Sequence, residues 1–289
     1  MLNRLIMIFG GLILLVGCTV APSVTATQPA ATISPSQTPS VTVTPLPTAA
    51  PSVTPSATAE AMVFVTPEPA VCSPLAGYAL PDLANMIVNA YLPPRLGSDD
   101  PHQGLDLGVQ DAIQGYALAG NPVQAVLAGK VVGVTADRFP YGNMLMIETT
   151  LDVQPPAFAP SLVLPTPLPA RLPRGALTCP ELNSLPAAAD APRSLYILYA
   201  HMLNSPAVKV GDPVGCGQEI GAIGQSGNAL NPHIHVEVRV GPANQTFTSM
   251  AHYDPSAGYE EMAAYCLWRV SGVYQTIDPG CLWGACATP

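Results

Sequence analysis

A mainly β, antiparallel domain is what this sequence predicts, and three observations carry the prediction. Short runs of apolar or alternating residues recur along the chain: VQAVLAGKVVGVTA, NMLMIETT, SLYILYAHM and HIHVEVRV. Glycine-rich stretches such as GDPVGCGQ and GQSGN separate several of them, as tight turns between neighbouring strands do. Proline is abundant, 34 of 289 residues, and punctuates the runs into strand-sized pieces.

The elements follow in chain order. The N-terminus reads MLNRLIMIFGGLILLVGC. Arg4 precedes an apolar run too short for a comfortable membrane span, which needs roughly 20 apolar residues. Residues 1–17 therefore fit a secretory signal peptide. LVGC resembles a bacterial lipobox, so Cys18 is the expected lipidation site and the membrane an expected partner through that lipid. An uncleaved signal anchor is the rival reading. Residues 18–71 are dominated by Thr, Pro, Ser and Ala, as in SPSQTPSVTVTPLPTAAPSVTPSATAE. With little to bury, they read as a proline-stiffened tether with a reach well beyond ~100 Å if extended.

Residues 72–289 are enough for one domain with a real core. LPDLANMIVNAYL predicts a short helix that the following Pro93 and Pro94 end. The strand runs then occupy a core of about 100–242. Residues 152–193 break the rhythm with a proline-rich insertion, longer than ordinary connections. Residues 243–289 form a C-terminal extension. Cys72, Cys179, Cys216, Cys266, Cys281 and Cys286 remain once Cys18 is set apart. An even number in an exported chain predicts disulfides, and six allow about 15 full pairings. Cys281 and Cys286 are placed to staple the tail, and Cys179 to pin the insertion.

Charge excludes one class of partner. Formal net charge is -9 and only 10% of residues are charged. Lys130 and Lys209 are the only lysines, far apart in sequence, so nucleic acid is not an expected partner. Gly211, Gly215, Gly217, Gly221, Gly224 and Gly227 form a dense series. No GK[ST] follows, which leaves tight hairpins rather than a phosphate cradle. The same stretch resembles the hairpins of biotinyl and lipoyl modules, but no MKM-like attachment lysine is present.

The chain has five histidines. His233 and His235 stand two apart in a strand-forming run, a spacing that puts both rings on one face, about 7 Å apart at the backbone. Upstream, SDDPHQGLDLG holds His102 and Asp106 in a turn entering a strand. Imidazoles plus a carboxylate make a zinc first shell, and three protein ligands with an open fourth position mark a catalytic site. Spacing alone leaves open which of His233 and His235 completes the set. His201 ends the run YILYAH; His252, in MAHYDP, has packing as its default role.

HQGLDLG, GNPVQAVLAGKVVGV, YGNMLMIE, LYILYAHM, VKVGDPVGCGQEIGAIGQSGN and NPHIHVEVRV follow one another in this order. Together they resemble the lysostaphin-type (LytM-like) zinc metalloendopeptidases, which cleave peptide bonds in bacterial peptidoglycan. The resemblance covers roughly 101–240 and extends weakly to YQTIDPG. It implies antiparallel sheets forming a groove, like a duplicated hybrid motif with long loop insertions. It implies His102, Asp106 and His235 as ligands of Zn2+, and His201 and His233 as the catalytic, non-ligand histidines. Two positions depart from the pattern: Asn231 where glycine is usual, and Glu148 where histidine is common. Neither is a ligand position.

The implied activity is hydrolysis of peptide cross-links or stem peptides of peptidoglycan, by a monomer lipid-anchored to the outer face of the cell membrane and associated with the wall. A rival from another class is a non-catalytic wall-binding lipoprotein or an activator of other hydrolases. Such relatives usually lose metal ligands, and this chain keeps them. A third reading is a generic periplasmic metal-binding lipoprotein.

Overall fold

A computed structural model describes residues 71–95, 97–151, 164–165, 179–180 and 192–286. The expected signal peptide, Cys18, the tether and most of the 152–193 insertion lie outside the described residues. In chain order the strands are β1 (Ile87–Asn89), β2 (Leu105–Leu107), β3 (Val109–Gln110), β4 (Ala117–Leu118), β5 (Pro122–Gln124) and β6 (Gly129–Arg138). They continue with β7 (Gly142–Thr150), β8 (Arg193–Ala200), β9 (Pro213–Val214), β10 (Glu219–Ala222), β11 (Ile234–Pro242) and β12 (Gln275–Ile277). The main sheet runs β1-β2-β11-β8-β7-β6-β9, with β12 also paired to β11. β10 with β5, and β3 with β4, make two small ribbons. Every one of these pairings is antiparallel, as the glycine-punctuated runs predict.

Alternation explains how the sheet is buried. β11 has β8 on one flank and β2 and β12 on the other, and all nine of its residues are buried. Side chains of successive strand residues point to opposite faces. Ile234, Val236, Val238 and Val240 join one apolar cluster with Val131, Leu145, Ile147, Leu195, Ile197 and Tyr199. The opposite face of the neighbouring strands gives Met144, Met146, Tyr196 and Leu198 to a second cluster with Phe247, Trp268 and Tyr274. Each fully buried large apolar side chain stabilises the fold by about 1.5–3 kcal/mol.

The C-terminal extension covers that second face. Its helix α1 (Tyr259–Arg269) buries Tyr265, Cys266 and Trp268. The Glu261 side chain accepts the Gly258 N–H at 3.0 Å and so caps the helix start. Gly241 lets the extension come close: a Cβ there would fall 2.2 Å from the Tyr274 ring.

The expected helix over LPDLANMIVNAYL is shorter than predicted. A 3-10 helix spans Leu80–Met86 and gives way to β1 at Ile87. The β-branched pair Ile87 and Val88 favours extended backbone, and β2 supplies a partner edge, with Ile87 opposite Leu107.

Three disulfides form among the described residues: Cys72–Cys216, Cys179–Cys266 and Cys281–Cys286. The first ties the start of the domain to the turn between β9 and β10. The second fastens the insertion to α1. The third closes a loop at the C-terminus, whose cysteines are five apart in sequence.

Candidate metal centre

Strand register brings distant residues to one point. His235 on β11 lies directly across from Asp106 on β2 and, on its other side, from Ala200 on β8. His201, the next residue, is thereby delivered beside His235. Its φ of 64° is unusual for a residue with a side chain, the kind of local strain that clusters at functional sites. His233 sits just before β11, bridged to Gly224. His102 lies in the loop before β2. Gly104 keeps space for the convergence, because a Cβ there would meet the His235 ring at 2.5 Å.

Three donor atoms meet. His102 Nε2 is 3.1 Å from Asp106 Oδ1 and 3.1 Å from His235 Nδ1, and His235 Nδ1 is 2.7 Å from Asp106 Oδ1. The far side of each ring fixes its tautomer. His102 Nδ1 faces the Ala90 carbonyl oxygen at 2.9 Å, and His235 Nε2 faces Glu237 Oε1 at 3.1 Å. Both acceptors can only receive a proton, so those nitrogens carry the N–H. Two imidazole lone pairs and a carboxylate oxygen are left pointing at one another. Such a set repels itself unless a cation fills it, and its chemistry fits a divalent metal with nitrogen and oxygen ligands. The remaining Asp106 oxygen, Oδ2, accepts from Asn89 Nδ2 at 3.1 Å.

Electrostatics point the same way. Burial opposes charge on Asp106, but hydrogen bonds from His102 and His235 hold its carboxyl well below the usual carboxylate range. Burial likewise opposes a charged His235, yet Asp106 and Glu237 push it up to about 9. The Asp106 carboxylate that favours a proton at Nδ1 of this ring would favour a metal cation there, while Glu237 holds the opposite nitrogen.

His201 and His233 stand beside the triad with ring centroids 4.9 Å apart, and His201 is 5.7 Å from His235. His201 Nδ1 donates to the Ser226 carbonyl at 2.8 Å and His233 Nδ1 to that of Asn231 at 2.7 Å. Nε2 of each ring is thereby the nitrogen turned away from the backbone. His233 Nε2 is 3.6 Å from Asp106 Oδ2. Burial, and then the neighbouring rings of His235 and His233, lower His201 to about 3, so it is neutral at ordinary pH. All five residues line one cleft of about 960 Å³, whose walls include Tyr116, Phe139, Leu230 and Tyr253. Among the described residues Arg269 is the one arginine or lysine in its lining, already committed to carboxylates.

Several contributors were not singled out from the sequence. Glu237 is fully buried. Its Oε1 accepts from Tyr141 Oη at 2.7 Å, His235 Nε2 at 3.1 Å and Arg269 at 2.6 Å. Its Oε2 accepts from Arg239 at 3.0 and 2.9 Å and from Trp268 Nε1 at 2.9 Å. The readable signal was HIHVEVRV itself: His235, Glu237 and Arg239 alternate with valines, a polar face inside a strand that is otherwise core-like. Tyr141 belongs to this network. Asn143 does not; its side chain accepts from Asp137 N and donates to Met202 O, holding the turn. Glu148 lies apart from the cleft, accepting from Tyr196 Oη. His252 packs on Tyr265 with ring centroids 5.2 Å apart.

Residues 188–248 match the family model Peptidase family M23. The match spans β8 to β11 with His201, His233 and His235, and agrees with the family resemblance carried by the motifs. Among solved structures, the chain is similar to a mutant catalytic domain of the prophage-encoded M23 protein EnpA from Enterococcus faecalis, at 23% identity over 60% of this chain and 89% of that one, with TM-score 0.31. It is similar at 22% identity to the catalytic domain of the antimicrobial peptidase lysostaphin from Staphylococcus simulans, over 56% of this chain and 86% of that one, with TM-score 0.32. Helicobacter pylori Csd3 is 16% identical over 73% of this chain and 37% of that one, with TM-score 0.31.

Proposed function

We propose that this chain, which carries a peptidase family M23 segment, is a zinc-dependent endopeptidase that hydrolyses peptide bonds of bacterial peptidoglycan. The observation that supports this most is the convergence of His102 Nε2, Asp106 Oδ1 and His235 Nδ1 within 3.1 Å of one another. These three residues would hold the ion. When bound, zinc supplies Lewis acidity, the means to polarise an amide carbonyl and to make water a nucleophile at neutral pH.

The chain's own groups do the rest. Asn89, Ala90 and Glu237 orient the three ligands from behind. His201 and His233, with Nδ1 committed to backbone carbonyls, offer Nε2 to take a proton from attacking water and return one to the departing amine. Asp106 Oδ2 lies where it steadies a protonated His233. The peptide lies along a cleft whose walls mix aromatic and apolar side chains with Asp99, Asp100 and Asn228, and no free lysine or arginine lines it among the described residues, which suits an uncharged or amino-bearing peptide better than an anion.

Three disulfides fit an oxidising compartment outside the cytoplasm. Within it we place the enzyme on the membrane through lipid on Cys18, with residues 18–71 as the tether that carries it into the wall. A wall-binding protein that does not cut is the alternative. Metal analysis with digestion of purified peptidoglycan separates them. The wild type takes up one zinc and releases wall peptides. His235→Ala loses both metal and cleavage; His201→Ala keeps the metal and loses cleavage. Wall binding unaccompanied by any release of peptides in the zinc-loaded wild type would favour the alternative.

A further inference from the structure

We infer that Arg269, on the C-terminal helix and outside the segment that matches the family, is a positioning residue that sets the metal affinity of the centre. The inference rests on the metal-binding reading above and extends it to a part of the chain that touches no ligand directly.

The metal donors sit on two separately built pieces. His235 is on β11, while His102 belongs to the loop that leads into β2. β2 pairs with β11 at Asp106, and His102 stands four residues earlier, in the loop. Arg269 braces that loop against the strand with one guanidinium. Its NH1 donates to Glu237 Oε1 at 2.6 Å, and that same oxygen receives the His235 Nε2–H. Its Nε donates to Asp99 Oδ1 at 2.6 Å and its NH2 to the Asp99 carbonyl at 2.9 Å. Asp99 is three residues before His102. One rigid fork thus spans the acceptor behind one ligand and the backbone that carries another. Bidentate arginine contacts of this kind are directional as well as strong.

A parallel strut reinforces the reading. Arg239 donates to Glu237 Oε2 and to Gln103 Oε1, and Gln103 Nε2 in turn donates to the Ser98 and Asp99 carbonyls. Arg239 is on β11 itself, so this strut exists without the extension. Arg269 is the strut that the extension adds. Its helix is held in place by the Cys179–Cys266 disulfide and by the Arg138–Glu261 ion pair. Tyr265, also on α1, and Tyr253 both donate to Asp99 Oδ2, at 2.8 and 2.7 Å. The extension therefore grips the His102 loop at Asp99 while supporting His235 through Glu237.

Removing a group that orients metal ligands typically costs 10–100-fold in metal affinity. The test is zinc affinity by chelator competition on the full folded chain, with the visible spectrum of the cobalt(II)-loaded protein as a measure of coordination geometry. Arg269→Met is expected to weaken zinc binding by roughly 10–100-fold and to change the cobalt spectrum. Arg269→Lys keeps a cation against Glu237 but loses the fork, so it is expected to fold and to fall between the two. Near-UV circular dichroism shows whether each variant is folded; if Arg269→Met is not, Arg269→Lys decides. A folded variant whose zinc affinity stays within twofold of wild type, with an unchanged cobalt spectrum, overturns the inference and leaves α1 a mere cover. A wild type that takes up no zinc overturns the metal reading itself, and this inference with it.

Discussion

The two faces of β11 differ in kind. One face, Ile234, Val236, Val238 and Val240, is pure hydrocarbon and packs into the larger core cluster. The other carries three ionisable side chains in a row, His235, Glu237 and Arg239, before Gly241, and each of the three is buried. The apolar face needs only volume and shape from its neighbours. The polar face needs a partner for every donor and acceptor, because an unpaired buried charge is far more costly than an unfilled contact. Asp106 on β2 serves His235 from within the sheet, and the other partners come from outside it: Tyr141 from the turn before β7, Trp268 and Arg269 from α1, Gln103 from the loop before β2. A strand that carries a buried ionisable face thus obliges the chain to build a second layer over it.

Breaking the polar face at its centre is expected to do the most damage. Glu237→Leu removes the acceptor of Tyr141, His235, Trp268, Arg239 and Arg269 together. It leaves two buried guanidinium groups short of a counter-charge, a loss of about 3–5 kcal/mol. Urea unfolding should show a midpoint lowered to match, and zinc binding should be lost as well. A leucine variant as stable as wild type would mean that Glu237 is not what holds this layer together. Val238→Ala, one residue along on the apolar face, is expected to cost about 2 kcal/mol with zinc affinity unchanged. If its zinc affinity also fell tenfold, the two faces would not be separable in the way their chemistry suggests.

Much of this division was legible in the sequence, and the rest was hidden for a physical reason. The alternation HIHVEVRV shows a strand with an apolar and a polar face. His102 and Asp106 are visible because glycine and proline around them exclude a helix and leave a turn entering a strand. Which of His233 and His235 lies against Asp106 is invisible to spacing, since both share a face; the β2–β11 register places His235 there. The second layer is harder still. Arg269 meets Asp99 across 170 positions, and a single arginine ending a short helix looks like any helix-terminating cation. The short 3-10 helix at Leu80–Met86 shows the opposite failure: Ile87 and Val88 follow it without a break, and only the presence of the β2 edge turns them into a strand. Gly104 lies in between, legible as a turn residue but not as a space-keeper. Gly104→Ala would place a Cβ 2.5 Å from the His235 ring and 2.8 Å from the Val236 carbonyl oxygen. The expected stability cost is about 1–2 kcal/mol, with a roughly tenfold loss of zinc affinity; an alanine variant with wild-type affinity would show that the ring has room to move.

The smallest expected effect lies at the other end of α1 and sharpens the contrast between its buried and its solvated ends. Glu261 pairs with Arg138 at 2.8 and 2.6 Å, accepts the Gly258 N–H and receives the Ser249 hydroxyl at 2.9 Å. The Arg138 hydrogen bonds, opposed by some burial, lower its carboxyl to about 2 from an ordinary 4.5. A carboxyl depressed on folding stabilises the folded state fully above its ordinary value, and that contribution is lost as pH falls through the depressed one. The stability gap between wild type and Glu261→Gln in urea should therefore be constant from pH 8 to 5. It should narrow below about 4.5 and close near 2. The gap should be modest, because solvent screens this pair as it does not screen Glu237 and Arg269. A gap that persists unchanged at pH 2 would show that Glu261 caps the helix by shape alone. Charge would then be confined to the inner end, where α1 meets the candidate metal centre.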